Sequence, residues 1–274
     1  MSKLFKNGNS AYIFWFLFYF TLFWLIFGAS IISFLVVLGL YTVSILLAFS
    51  SIAESLCRKA WKARSLHLMR EQERLLPLFK EVYIQACNVD AKLSRVIKLF
   101  VEESMSINAY AFGRETMILT RGSIELLSDD NIKAIMAHEF GHFSNGDTII
   151  NMLTMVGNFY YTIFLVVITK LKNFLDGQTR GGFLEPLRWI YLIIYWFFRG
   201  IFGLSNLILL HVSRKQEYIA DYFAVRCGYG KEMAELLNVI YSVSFGDSKN
   251  ILEQIRSTHP PTTKRIERIE RVVY

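Results

Sequence analysis

Between Lys6 and Glu54 the chain carries no charged side chain, an unbroken stretch of 47 residues (7–53). A helix needs about 20 apolar residues to cross the hydrocarbon core of a bilayer. The stretch therefore predicts two crossings and a short turn, and it excludes a wholly soluble protein. Gly28-Ala29-Ser30 divides it into runs at 11–28 and 31–50. The first run is long for the apolar part of a signal peptide, and its removal would leave the second as a new anchor. A retained helical hairpin is the expectation.

Lys3 and Lys6 precede the hairpin, and Arg58, Lys59, Lys62, Arg64, Arg70 and Arg74 follow it. Basic flanks of this kind mark the cytosolic side of a membrane and suit an anionic lipid surface. They account for the net charge of +7 without nucleic acid, for which no recognition module is present. The partners expected are the lipid bilayer and no nucleic acid. Cys57, Cys87 and Cys227 have no metal-site or disulfide spacing, which predicts reduced thiols.

A third charge-free run covers 148–169, and a fourth covers 189–212 but contains Arg199. An arginine at bilayer depth is costly and usually faces protein or water. Two further crossings are expected here. The alternative puts 187–198 at the interface, with only the part after Gly200 deeply buried. Lys170, Lys172, Arg180 and Arg188 in the intervening loop run against the positive-inside rule. The chain thus divides into a hairpin (1–50), a polar block (51–147), a second membrane hairpin (148–212) and a second polar block (213–274).

The first polar block opens as a long basic amphipathic helix that includes His67. Strands are expected at 95–101, 107–112 and 115–120, the last two separated by Gly113. Ser128-Asp129-Asp130 is an acidic helix start, with the helix running through about 143. A helix leaving the fourth apolar run continues to about 226, and others lie near Met233 and Lys264. The fold class is α+β, mainly helical, in a multi-pass membrane protein.

Within the helix after Asp130 stands Ala137-His138-Glu139-Phe140-Gly141-His142. Histidines four apart lie one turn above each other, so both imidazoles can reach one metal ion. Glu139 then points where a water would sit, the arrangement of a zinc peptidase. Taken alone, the motif also fits a helix whose histidines only bond neighbours. A catalytic zinc needs a third protein ligand, and Glu217 and Asp221 are again one turn apart. Glu217 can complete the site, and Asp221 can accept a hydrogen bond from a ligand histidine and fix its tautomer. His259, before Pro260 and Pro261, can donate to a developing oxyanion.

With these residues in place the sequence resembles the HtpX-like and type I CAAX-prenyl-protease family of membrane zinc metallopeptidases. The match runs from about Asn108 to Arg268. It includes Asn108-Ala109-Tyr110-Ala111, Thr120-Arg121-Gly122, His138 to His142 continuing to Asn145 and Asp147, Arg214 to Asp221, and His259-Pro260-Pro261 with Arg265. Gly146 departs from the family pattern, which commonly has a charged residue there. The resemblance implies a zincin-type (gluzincin) catalytic domain with a small sheet and one Zn2+ per chain. His138, His142 and Glu217 would be its ligands, Glu139 the catalytic base, Asp221 an outer partner, and His259 would lie near the transition state. The strand Asn108, Ala109, Tyr110 and Ala111 would be an edge that pairs with substrate. The four apolar runs fit the HtpX-like branch. They imply a zinc-dependent endopeptidase of a bacterial inner or plasma membrane, with a cytosolic catalytic domain. It would act on protein or peptide substrates, membrane-associated ones among them, in quality control or processing.

Two other readings stand beside it. Site-2-type intramembrane proteases carry a similar histidine motif and a Leu-Asp-Gly ligand sequence, and this chain has Leu175-Asp176-Gly177. Those enzymes bury both motifs in apolar spans, whereas Asp176 lies among Lys170, Lys172 and Arg180, which predicts a solvated loop residue. The other reading is a non-enzymatic membrane scaffold retaining a peptidase fold, against which the intact set of His138, Glu139, His142 and Glu217 argues.

Overall fold

A computed structural model describes residues 10–93, 96–178, 185–244 and 260–273. Hydroxyl caps and positive-φ turns set its first elements. Helix α1 (Ser10–Ile26) ends at a turn in which Gly28 and Ala29 have φ of 97° and 53°. Ser30 then caps α2 (Ile31–Ala48), its Oγ accepting from the Ser33 N–H while Ser33 Oγ accepts from the Ser30 N–H. Ser50 caps α3 (Ser51–Ala60), so only Phe49 and Ser50 separate α2 from α3. The expected hairpin at 11–50 is helical as read.

The long basic helix expected after residue 50 is instead two helices with a strand between them. Lys62 turns the chain with φ 53°. Strand β1 (Ala63–Ser65) follows, then α4 (Met69–Val89). Three residues are too few to show a period of two, and Arg64 merges into the basic run. His67 accordingly lies exposed in the β1–α4 connection rather than on a helix.

The other strands are β2 (Lys98–Glu102), β3 (Ala109–Phe112) and β4 (Thr116–Thr120), slightly shorter than the expected runs. Arg95 lies outside the described residues. The sheet order is β1-β2-β4-β3, with β2 parallel to β4 and the other pairs antiparallel. Strand β3 is therefore an edge. Alternation sends Leu99, Val101, Ala109, Met117 and Leu119 into one core with α4 and helices that follow the sheet. Phe100, Tyr110, Phe112 and Ile118 take the opposite face, where Arg58 and Trp61 meet them.

The remaining helices are α5 (Arg121–Leu126), α6 (Asp129–Asn145), α7 (Asp147–Gln178), α8 (Glu185–Arg226), α9 (Gly230–Ser244) and α10 (Thr262–Val273). The continuation of the fourth apolar run to Arg226 is as expected. A second core joins α1, α2 and α7 through Trp15, Tyr19, Phe23, Tyr41, Tyr161 and Leu165, with Phe198 and Phe202 of α8 packed against it. Tyr161 donates to the Phe198 carbonyl at 2.6 Å, and Tyr19 meets Tyr161 edge-on with ring centres 4.6 Å apart. These tyrosines are packed inside the helices. Phe14, Phe27, Phe159 and Trp196 are exposed, as is Arg199. Among the described residues one helix, α2, is long and apolar enough to cross a membrane, and the apolar part of α1 is shorter. Asp176 is helical, not in a loop. It pairs with Lys172 and with Arg188, each at 2.9 Å.

Candidate metal centre

Helix α6 carries the histidine motif and is closed at both ends by local chemistry. Ser128 accepts from the Asn131 N–H at 3.2 Å, and Asp129 and Asp130 face the positive end of the helix. Gly146 ends it in the left-handed conformation, φ 82°, its N–H bonding the His142 carbonyl at 3.1 Å. A glycine meets that backbone without strain. With Gly146 as the sole link, α7 begins at Asp147 and returns that carboxylate to the motif. Asp147 Oδ2 lies 2.9 Å from His142 Nδ1, and Oδ1 accepts from Asn145 Nδ2 at 2.6 Å.

Helix α8 crosses α6 at Gly141. A Cβ there would lie 2.8 Å from the Ala220 Cα and 3.0 Å from the Phe223 Cβ. The bare backbone thus lets α8 approach closely enough to bring Glu217 over the two histidines. Glu217 Oε1 is 3.5 Å from His142 Nε2, and Oε2 is 3.8 Å from His138 Nε2. The three residues offer two nitrogens and one oxygen, all within 4.8 Å of one another. One turn on, Asp221 Oδ1 sits 3.0 Å from His138 Nδ1.

His142 Nδ1 is therefore bonded to a carboxylate and His138 Nδ1 lies beside one, an arrangement that turns both Nε2 atoms toward Glu217. Arg265 of α10 clamps the acidic pair. Its Nε and Nη2 donate to Asp221 at 2.8 and 2.6 Å, and its Nη1 lies 3.1 Å from Glu217 Oε2. Burial disfavours the Asp221 charge, but Arg265 outweighs it and holds the carboxyl below its ordinary value. Burial likewise opposes charge on His142, yet the Asp147 and Glu217 carboxylates raise that imidazole well above its usual value. Glu139, Asp147, Glu217 and Asp221 are all buried, as is the Arg265 guanidinium. Buried carboxylates need cations, and a mixed nitrogen and oxygen donor set suits zinc. The residues fit that ion.

Asn108 leads into the edge strand. Its carbonyl accepts from the Thr120 N–H at 3.2 Å, while the Ala109 N–H turns to Asn108 Oδ1 at 2.9 Å. Alternation along an antiparallel ladder then leaves the N–H and C=O groups of Ala109 and Ala111 on the open side. Asn108 Nδ2 donates to the Tyr110 hydroxyl at 3.0 Å. Burial, with the charges of Glu102 and Glu139, raises that phenol above its ordinary value against the opposing bond from Asn108. Helix α6 packs against β3, so the edge and the histidine motif are neighbours.

The structure thus brings together His138, Glu139, His142, Glu217 and Asp221, with the strand from Ala109 alongside. His259 lies outside the described residues. Asp176 is not part of the cluster, and its two cations take it out of contention as a ligand. Three contributors had no role assigned from sequence. Asp147 and Arg265 carried a signal, since both fall within the motifs quoted above, but their partners come from other helices. Gly141 gave no sign of its packing role.

The model of peptidase family M48 matches residues 70–273. The chain is 28% identical over 202 residues to a protease HtpX homolog of Aquifex aeolicus, covering 63% of this chain and 64% of that protein. It is 28% identical over 261 residues to protease HtpX of Escherichia coli O127:H6, covering 84% and 86%. Against the crystal structure of S. mikatae Ste24p the TM-score is 0.57 at 19% identity, over 93% of this chain and 62% of that one.

Proposed function

Because the chain belongs to peptidase family M48, a family of zinc metallopeptidases, we propose that it is a membrane-integral zinc endopeptidase with its catalytic residues on the cytosolic side. The observation that carries this reading is the His138, His142 and Glu217 cluster with buried Glu139 on the same helix. These three residues would hold one zinc ion. When bound, zinc supplies Lewis acidity that polarises a carbonyl and makes water nucleophilic near neutral pH.

The chain's own residues do the rest. Glu139 accepts the proton of the attacking water and passes it to the leaving amine. His259 donates to the oxyanion. Asp221 and Asp147 hold the histidine rings, and Arg265 holds Glu217 and Asp221. Substrate lies extended along β3, pairing with the outward Ala109 carbonyl and the outward groups of Ala111, so recognition is largely main-chain and sequence preference is broad.

The two apolar hairpins, 1–50 and 148–212, anchor the enzyme, and the blocks 51–147 and 213–274 join to form the catalytic domain. Basic residues on both sides of the first hairpin support the cytosolic placement. Substrates are membrane-associated proteins, taken in quality control or processing. Purified protein should hydrolyse an unfolded substrate such as casein, lose the activity to a zinc chelator and regain it with added zinc. Zinc-free protein cleaving at full rate would overturn the reading.

A further inference from the structure

We propose that Glu54 is a positioning residue: it latches the first apolar hairpin to the β3–β4 turn and so fixes the edge strand beside the metal centre. The proposal rests on the reading that substrate pairs with β3.

Glu54 is buried on α3, the short helix that two residues separate from the end of α2. Its carboxylate reaches the far end of the sheet. Oε1 accepts from the Arg114 N–H at 2.6 Å, and Oε2 accepts from Thr116 Oγ1 at 2.8 Å. Arg58, one turn further along α3, donates to the same Thr116 hydroxyl at 2.8 Å and lies 3.8 Å from Glu54 Oε2. Thr116 is fully buried. Gly113, with φ 63°, provides the space, since a Cβ there would meet Glu54 Oε1 at 2.3 Å. Trp61, at the end of α3, packs edge-on to Phe112 at 5.0 Å and stacks on Tyr110 at 6.3 Å.

An apolar side chain would cover this face of the sheet at less cost than a buried carboxylate. What the carboxylate adds is direction: two hydrogen bonds and a nearby guanidinium fix one turn geometry. That turn sets where β3 starts its return to β4, and among the described residues β3 has no strand on its other side to hold it. Helix α2, the described helix able to cross a membrane, is thereby tied through α3 to the strand that takes substrate.

The test uses the full-length protein in bilayer vesicles, with a casein-derived peptide as substrate. Glu54→Ala should keep one zinc per chain and a kcat within about twofold of wild type, while KM rises at least fivefold. Amide exchange at Arg114 and Phe112 should accelerate at least tenfold. Glu54→Gln, which can bond both partners, should recover KM to within about twofold. Thr116→Val, of similar shape and without the hydroxyl, should raise KM in the same direction, and it decides the matter if the alanine variant does not accumulate. An unchanged KM in folded Glu54→Ala, or zinc and kcat falling in step with KM, would overturn the proposal. Ala111→Pro removes one outward N–H of β3 and separates the two readings. A wild-type KM there would overturn edge pairing and the latch with it. A raised KM there beside an unchanged KM in Glu54→Ala would overturn the latch alone.

Discussion

Two carboxylates decide which nitrogen each histidine presents. Asp147 bonds Nδ1 of His142, and Asp221 lies 3.0 Å from Nδ1 of His138. Outer partners of this kind are worth about 10–100-fold in metal affinity or activity. Asp147→Ala and Asp221→Ala should each lose zinc within that range, read by competition with a chromogenic chelator, and excess zinc should partly restore both. Gly141 acts through absence of bulk. Gly141→Ala would press a methyl against the Ala220 backbone of α8. Overpacking of this kind costs about 1–3 kcal/mol, and any shift of α8 moves Glu217. A lowered melting temperature and a reduced zinc content should appear together, and a variant of wild-type stability and zinc content would contradict the crossing described. The spacings within the candidate site were legible in the sequence because they are local, one helical turn each. The packing role of Gly141 and the partners of Asp147 and Arg265 were not, because each depends on how separate helices meet.

Among the elements, the edge position of β3 was expected from the family resemblance, and the sheet order bears it out. Strand β1 was hidden, since its three residues carry no alternation and its anchor is an ion-pair group rather than apolar burial. Arg64 binds both Glu71 oxygens, at 2.8 and 2.6 Å, and Glu103 at 2.6 Å, holding β1 to α4 and to the chain after β2. The Arg64 guanidinium, against some opposition from burial, keeps the Glu71 carboxyl below its ordinary value. A carboxyl lowered on folding stabilises the fold above its unfolded pKa and loses that contribution as the pH falls through the folded value. Wild type should therefore melt above Glu71→Gln at pH 7, with the gap closing as the pH is lowered below about 4. A gap that widened with acid would contradict the clamp. The buried Cys227 thiol, pushed up to about 12 by burial, should stay unmodified by a thiol reagent at pH 7.5 in the folded protein.

At the scale of the molecule, α7 and α8 carry the design. Their 32 and 42 residues run from the metal centre into the aromatic core shared with α1 and α2. At 1.5 Å per residue α8 extends about 60 Å, roughly twice a bilayer core. One helix can therefore be embedded at one end and deliver Glu217 and Asp221 at the other. A cysteine placed near Arg64 should resist an impermeant thiol reagent in intact cells and react after lysis; labelling of intact cells would contradict cytosolic placement. In the proposed mechanism His138, His142 and Glu217 bind the metal while Glu139 performs the proton transfer. Glu139→Gln separates these roles, since the amide keeps the shape and leaves all three ligands. The decisive measurement is zinc content and peptide cleavage on the same purified Glu139→Gln protein. One zinc per chain should be retained while cleavage falls by about 10²–10⁴-fold and is not recovered with added zinc. Cleavage near the wild-type rate, or activity restored by zinc, would contradict the account.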